Sequence, residues 1–266
     1  MTSEVEILRQ RYEEIASTGD ENITACDYNL RELEIAFALE YIRDGDCILD
    51  VGCGPGVALR TYASERTVAA HGIDYAENMV AFAQRQTRQA APGLSIAFRQ
   101  ANVLELPFED NYFDVVTSSR CLMALLEWDL QQKALLEIRR VLKPNAKLVL
   151  MEGTLDGLER LNAYRRRFGL AEIEADGRDR LFTRKFREQE LLTFCDPYYA
   201  LERTQRFGMY YFLTRIVQPL LVAPSAPRYD HPLNTVAKLI ARISPDLDGM
   251  GHLVAFVLRK RSDVLS

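Results

Sequence analysis

Ile48-Leu49-Asp50-Val51-Gly52-Cys53-Gly54-Pro55-Gly56 decides the architecture. The apolar run Cys47 to Val51 reads as a buried parallel strand. Three glycines then arrive at alternate positions, which suits a sharp turn into a helix and close approach of a ligand to the backbone. Asp50 is the unusual member. A glycine-rich strand-to-helix turn ordinarily offers backbone N–H groups and a helix dipole to a phosphate. A carboxylate at that place repels phosphate and suits a cationic ligand instead.

Working outward, strands and helices alternate. Helices are expected over Glu4 to Ala16 and Leu30 to Ile42, the second with Leu30, Leu33, Phe37 and Tyr41 at helical spacing. After the first strand come a helix over Val57 to Ser64, a strand over Thr67 to Ile73, a helix over Ala76 to Ala90 and a strand over Leu94 to Ala101. A strand over Phe113 to Ser118, a helix over Trp128 to Leu142 and a strand over Lys147 to Met151 follow. Asp129 and Gln132 have the spacing of a capping box. This alternation predicts an α/β fold with a doubly wound, mostly parallel sheet, its ligands at the carboxyl edge.

With these residues in view, the chain resembles the class I S-adenosylmethionine-dependent methyltransferases. Gly72-Ile73-Asp74-Tyr75 resembles the acidic end of their second strand. Leu106-Pro107-Phe108, Phe113-Asp114-Val115-Val116 and Val141-Leu142-Lys143-Pro144 resemble later landmarks, in the family's order, over positions 40 to 153. The resemblance implies a seven-stranded Rossmann-like sheet with an antiparallel last strand. Tyr198 to Phe207 and His252 to Arg259 are the expected sixth and seventh strands. The family often joins these by a short hairpin; here positions 208–251 intervene, rich in aromatics and prolines, with helices expected near Tyr210 to Leu221 and Leu233 to Ile243. Three parts follow: N-terminal helices over 1–43 covering the cofactor, a cofactor-binding core over 44–153, and a C-terminal half over 154–266 whose insertion forms a substrate lid.

The resemblance also distributes roles. Gly52, Cys53, Gly54, Pro55 and Gly56 would pass beneath the methionine part of S-adenosylmethionine, and Asp50 would act on its amino group. Asp74, twenty residues after Gly54, would accept from the ribose hydroxyls; capping of the following helix is its structural alternative. Tyr75 and Met79 would pack on the nucleoside. Asn102 stands where the family usually has Asp, and with Val103 and Leu104 it would meet the adenine. Ser119 ends the fourth strand beside the methyl donor, and Tyr12 belongs to the cover. Arg120 serves either a substrate anion or an ion pair with a nearby acid. Tyr28, Arg120, Tyr210, Tyr211 and Arg215 are the expected substrate contacts. Asn145-Ala146 replaces a common pair of glycines after Pro144. No catalytic residue is assigned; Glu152 and His231 are candidates for a base, with His252 behind them and His71 less so.

Bulk properties narrow the classes. The 266 residues are 48% apolar, enough for a packed core, and carry a net charge of −5. That balance disfavours a nucleic-acid binder. Positions 160–187 hold nine basic and four acidic residues, read as solvated helix faces or as a lure for an anionic substrate. Five scattered cysteines (Cys26, Cys47, Cys53, Cys121, Cys195) and three histidines lack zinc spacing and suit reduced thiols in the cytoplasm, and no metal is expected. No signal peptide or membrane span is evident. The reading is therefore an enzyme that methylates a small molecule, with S-adenosylmethionine as cofactor and S-adenosylhomocysteine as product. The oligomeric state stays open, a homodimer included. Two alternatives stand beside it: a nicotinamide-dependent oxidoreductase, disfavoured by Gly-x-Gly-x-Gly after Asp50, and a non-catalytic partner protein on the same fold.

Overall fold

The computed structural model of the chain describes residues 4–22, 25–174, 183–247 and 249–262. Its strands are β1 (Cys47–Val51), β2 (Ala69–Asp74), β3 (Ile96–Gln100), β4 (Phe113–Ser119), β5 (Leu142–Gly153), β6 (Tyr199–Gln205) and β7 (Leu253–Lys260). They form one sheet in the order β3-β2-β1-β4-β5-β7-β6. The pairings from β3 to β5 are parallel, while β7 runs antiparallel to both of its neighbours. The helices are α1 (Glu4–Ser17), α2 (Tyr28–Leu39), α3 (Val57–Glu65), α4 (Glu77–Ala90), α5 (Trp128–Val141), α6 (Leu155–Arg167) and α7 (Glu188–Cys195). Between β6 and β7 lie α8 (Gly208–Phe212), a π-helical turn (Leu213–Val217), α9 (Gln218–Val222) and α10 (Pro232–Ile243).

The sheet separates two apolar layers because alternate strand residues face opposite ways. Ile48, Val115, Val149 and Val257 join α2, α3 and the β6–β7 insertion in one layer. Leu49, Val51, Val116, Leu148 and Phe256 join α5 and α7 in the other. Both faces of β1 and β4 are covered, which explains their near-continuous apolar sequences.

The structure differs from the sequence-based expectation in three places. β5 begins at Leu142 rather than Lys147, since Leu142 pairs with Phe113 and a register shift absorbs the intervening residues. Within it Asn145 takes φ +63°, so it supplies the left-handed turn for which the family uses glycine. Asp129 and Gln132 form no capping box: α5 starts earlier, with Glu127 as N-cap and no side-chain bond to it.

The third difference concerns the insertion, which leaves and rejoins the sheet at the carboxyl edge and packs there against α2 and α6. Its Tyr210 hydroxyl donates to Asp27 Oδ1 at 2.5 Å, and Arg215 pairs with the other oxygen of that carboxylate. Arg165 of α6 donates to the Arg215 carbonyl, and Lys238 of α10 reaches Glu32 of α2 at 2.6 Å. Within the insertion, Gln218 Nε2 donates to Asn234 Oδ1 at 2.9 Å. Tyr210, Tyr211 and Ile216 are completely buried. Insertion and α2 thus make one packed unit.

Candidate functional site

The ends of β1, β2 and β4 surround a cavity of about 470 Å³. Its floor is the turn after β1. Gly52, Gly54 and Gly56 have φ of +70°, +51° and +75°, all in the left-handed region. At Gly52 a Cβ would stand 2.6 Å from both Cβ and Sγ of Cys121, so glycine is required there by backbone and space together. Cys53 N donates to Ile73 O at 2.8 Å, tying the turn to β2. Gly52, Cys53, Gly54 and Pro55 line the cavity. Gly56 does not; it is the N-cap of α3, and a Cβ there would meet the Phe98 ring at 2.8 Å.

Asp50 is 6% exposed and accepts from the Thr117 hydroxyl at 2.7 Å. Burial, aided by the neighbouring Asp74 and opposed by the Thr117 bond, pushes its carboxyl up to about 7. The site therefore favours a cation. Asp74 accepts from Gly54 N at 3.1 Å on one oxygen and Ala76 N at 3.0 Å on the other, the Tyr75 N–H adds a further bond, and burial raises it to about 6. It ties the glycine turn to the end of β2. Tyr75, Met79, Asn102, Val103 and Leu104 also line the cavity. Asn102 Oδ1 accepts from Leu104 N at 2.9 Å, so this oxygen also serves its own loop.

The remaining wall comes from the N-terminal helices and the β4 end. Tyr12, Ser119 and Arg120 line it. α1 is held to α4 by Glu13, whose carboxylate accepts from Glu77 N at 2.9 Å and Asn78 N at 2.7 Å, filling the role of an N-cap. Ala16 packs beside Ala76, Met79 and Phe82. Arg120 has φ +53°, its N–H donates to Met151 O at 2.9 Å, and its guanidinium pairs with Glu34 of α2. Of its two expected roles Arg120 shows the ion pair, and it also faces the cavity.

Four expected substrate contacts lie elsewhere. Tyr210 and Tyr211 are buried in the insertion and Arg215 is part-buried there, and Tyr211 Oη accepts from Leu253 N. Tyr28 is the first residue of α2 and is absent from the cavity lining. Glu152, expected to face the site, is fully buried and accepts from the N–H groups of Cys121, Leu122 and Met123 at 3.1, 2.8 and 3.2 Å. It caps the short 3₁₀ turn Leu122–Ala124, and burial raises it to about 8. His231 caps α10, its Nδ1 accepting from Leu233 N at 3.2 Å. His252 packs edge-on against Tyr211, and burial lowers its imidazole to about 3. His71 sits among Phe108, Tyr112 and Phe113. None of these acids and bases lines the cavity.

The basic stretch is spent on the protein itself: Arg160 pairs with Glu188, Arg166 with Glu172 and Arg187 with Glu159. Arg178 and Arg180 lie outside the described residues. Sequence reading missed Arg31, Glu34, Ile35, Met123, Leu125 and Met151, which all line the cavity. Glu34 had a signal: it lies between Leu33 and Phe37 and four residues after Leu30, so the apolar face of that helix carries a carboxylate.

A methyltransferase-domain family model matches residues 48–145. A probable methyltransferase of Aspergillus luteorubrus is 41% identical over 154 residues, covering 50% of this chain and 53% of the relative. A demethylmenaquinone methyltransferase of Lactiplantibacillus plantarum is 30% identical over 173 residues, covering 64% of this chain and 68% of that one. Among solved structures, a chain of the Haloferax volcanii complex between the Trm112 methyltransferase activator and a methyltransferase superposes with a TM-score of 0.63. It is 16% identical and covers 97% of this chain and 99% of that chain. The chain spans about half the length of several curated relatives it matches. On its motifs, its sheet and these matches, the chain belongs to the class I S-adenosylmethionine-dependent methyltransferases.

Proposed function

We propose that this chain transfers a methyl group from S-adenosylmethionine to a small-molecule acceptor. The observation that carries this reading is one cavity combining a cation-seeking Asp50, a glycine turn that leaves no room for side chains, and Asp74 at the next strand. These groups fit the cofactor. Asp50 would hold its amino group, Asp74 its ribose, and Asn102, Val103 and Leu104 its adenine, with Tyr75 and Met79 packed alongside. The cofactor supplies a methyl group on a positively charged sulfur, a good leaving group once a nucleophile is aligned.

The protein's work is then alignment and exclusion of water, which together supply about 7–11 kcal/mol in well-oriented systems. Segment 1–43 serves as the cover, 44–153 as the cofactor-binding core, and 154–266 completes the sheet; the insertion supports α2 rather than contacting the acceptor. No described helix is long and apolar enough to cross a membrane. Five free thiols support work in the cytoplasm. The charge balance gives no support to a nucleic-acid partner. Calorimetric titration with S-adenosylhomocysteine, S-adenosylmethionine and NAD tests the reading. Micromolar binding of the first two with no response to NAD is expected; response to NAD alone refutes it.

A further inference from the structure

Resting on that reading, we infer that Arg31, Glu34, Ser119 and Arg120 form the acceptor subsite, which takes an apolar molecule bearing an acidic hydroxyl: Glu34 receives the hydroxyl proton and Arg120 holds the resulting oxyanion. All four residues line the same cavity as Asp50. Glu34 is 1% exposed; one of its oxygens takes the Arg120 guanidinium, while Oε1 is buried with no hydrogen-bond partner among the described residues. Ser119 Oγ and Arg31 Nε are buried and equally unpartnered there. Buried polar atoms are almost always bonded, so three orphans around one ion pair point to polar groups that arrive with a ligand.

Charge says which groups. At the cofactor end the carboxylates are Asp50 and Asp74, suited to a cation. At the α2 end the cavity is lined by two guanidiniums, Arg31 and Arg120, beside the one carboxylate of Glu34, while Asp27, which also acts on Glu34, is paired with Arg215. An ammonium acceptor would be repelled there, and an ionised oxygen is complementary. Arg31 is also fixed in place, donating to Glu21 O at 3.0 Å and Asn22 Oδ1 at 2.7 Å. Ile35, Met123, Leu125 and Met151 give the apolar body its surface. The left-handed backbone at Arg120 is a strained conformation of the kind retained at working sites.

In the proton step the acceptor O–H bond breaks, the proton bonds to Glu34 Oε1, and the electron pair stays on the acceptor oxygen. Arg120 exchanges one anionic partner for another, so the local charge is unchanged. The groups acting on or affected by Glu34 are Arg120 after β4, Arg31 and Asp27 from α2 and its cap, Tyr62 of α3 and Tyr211 of α8. Burial, opposed by Arg120, raises Glu34 to about 7, where a base functions near neutrality.

The test uses protein saturated with S-adenosylhomocysteine and two probes of similar shape, 1-naphthoate and 1-naphthylmethylammonium. Titration calorimetry is run at pH 6 and pH 8 in buffers of different ionisation enthalpy. Naphthoate should bind, and the ammonium probe at least about tenfold more weakly. Naphthoate takes Arg120 from Glu34, so roughly one proton should be taken up at pH 8 and little at pH 6. Glu34→Gln should bind naphthoate without proton uptake. Arg120→Met should bind it at least about tenfold more weakly with unchanged S-adenosylhomocysteine affinity. If Arg120→Met loses that affinity as well, the shape-preserving Glu34→Gln decides between the outcomes. Preference for the ammonium probe, no naphthoate binding, uptake unchanged in Glu34→Gln, or an indifferent, cofactor-competent Arg120→Met overturns the inference. Failure of S-adenosylhomocysteine itself to bind sinks the methyltransferase reading instead.

Discussion

Replacing Gly52 by alanine isolates what the turn after β1 demands. The residue has φ +70°, and a left-handed backbone costs an L-residue about 1–2 kcal/mol. Its new methyl would stand 2.6 Å from Cys121 Cβ and Sγ, well inside van der Waals contact. Overpacking of that kind costs about 1–3 kcal/mol, because β4 and Glu152 fix the Cys121 backbone and leave little room to yield. The sum is about 2–5 kcal/mol, a large share of the about 5–15 kcal/mol that stabilises a typical domain. Urea unfolding of wild type, Gly52→Ala, Cys121→Gly and the double variant separates the two contributions. Cys121→Gly removes both clashing atoms, so the double-mutant cycle should return a favourable coupling of about 1–3 kcal/mol. The conformational part should remain. A loss below about 1 kcal/mol for Gly52→Ala, or no coupling to position 121, would refute this account of the turn.

Three further outcomes are expected. Asp50, held up to about 7 by burial, must lose its proton to pair with a cation, so affinity for S-adenosylhomocysteine should fall about tenfold per pH unit below pH 7. Asp50→Asn should bind weakly and without that slope in calorimetry, and an unchanged slope would exclude Asp50 as the ammonium partner. Glu152 has a folded-state carboxyl raised to about 8. Between its unfolded value and pH 8 the folded protein binds the extra proton, so stability falls as pH rises, by at most about 1.4 kcal/mol per pH unit from this group. The urea midpoint of Glu152→Gln should therefore change less between pH 5 and pH 8 than that of wild type. Glu13→Ala should cost about 1 kcal/mol by uncapping α4 and should speed S-adenosylhomocysteine release in stopped flow, since α1 loses its bonds to Glu77 and Asn78. Unaltered release would detach α1 from any covering role.

The sheet was legible because its central strands β1 and β4 are buried on both faces and its turns use glycine and aspartate, signals carried within a few residues. β1 is found at its expected bounds, Cys47–Val51, and the remaining strands lie within a few residues of expectation apart from the start of β5. The candidate cofactor wall of the cavity was legible for the same reason: Asp50, Gly52, Gly54 and Asp74 are local to the ends of β1 and β2. The opposite wall of the cavity was not, because it is assembled from α2, the end of β4 and β5, which are distant in sequence. Glu34 and Arg120 are 86 positions apart, and only the fold brings them together. The aromatic insertion misled for a related reason. Tyr210, Tyr211 and Arg215 suit a ligand by type, yet their partners, Asp27 and the start of β7, satisfy them inside the protein.

The two-point hold of Tyr210 and Arg215 on Asp27 has a bearing on how this enzyme class diversifies. α2 turns Arg31, Glu34 and Ile35 toward the cavity, while Asp27 and Glu32 are gripped by the excursion between the last two strands. That excursion acts as a buttress: its own shape sets the stance of the wall in front of it. Substitutions in α8 or α10 can thus shift Arg31, Glu34 and Ile35 from behind, while every residue that lines the cavity stays the same.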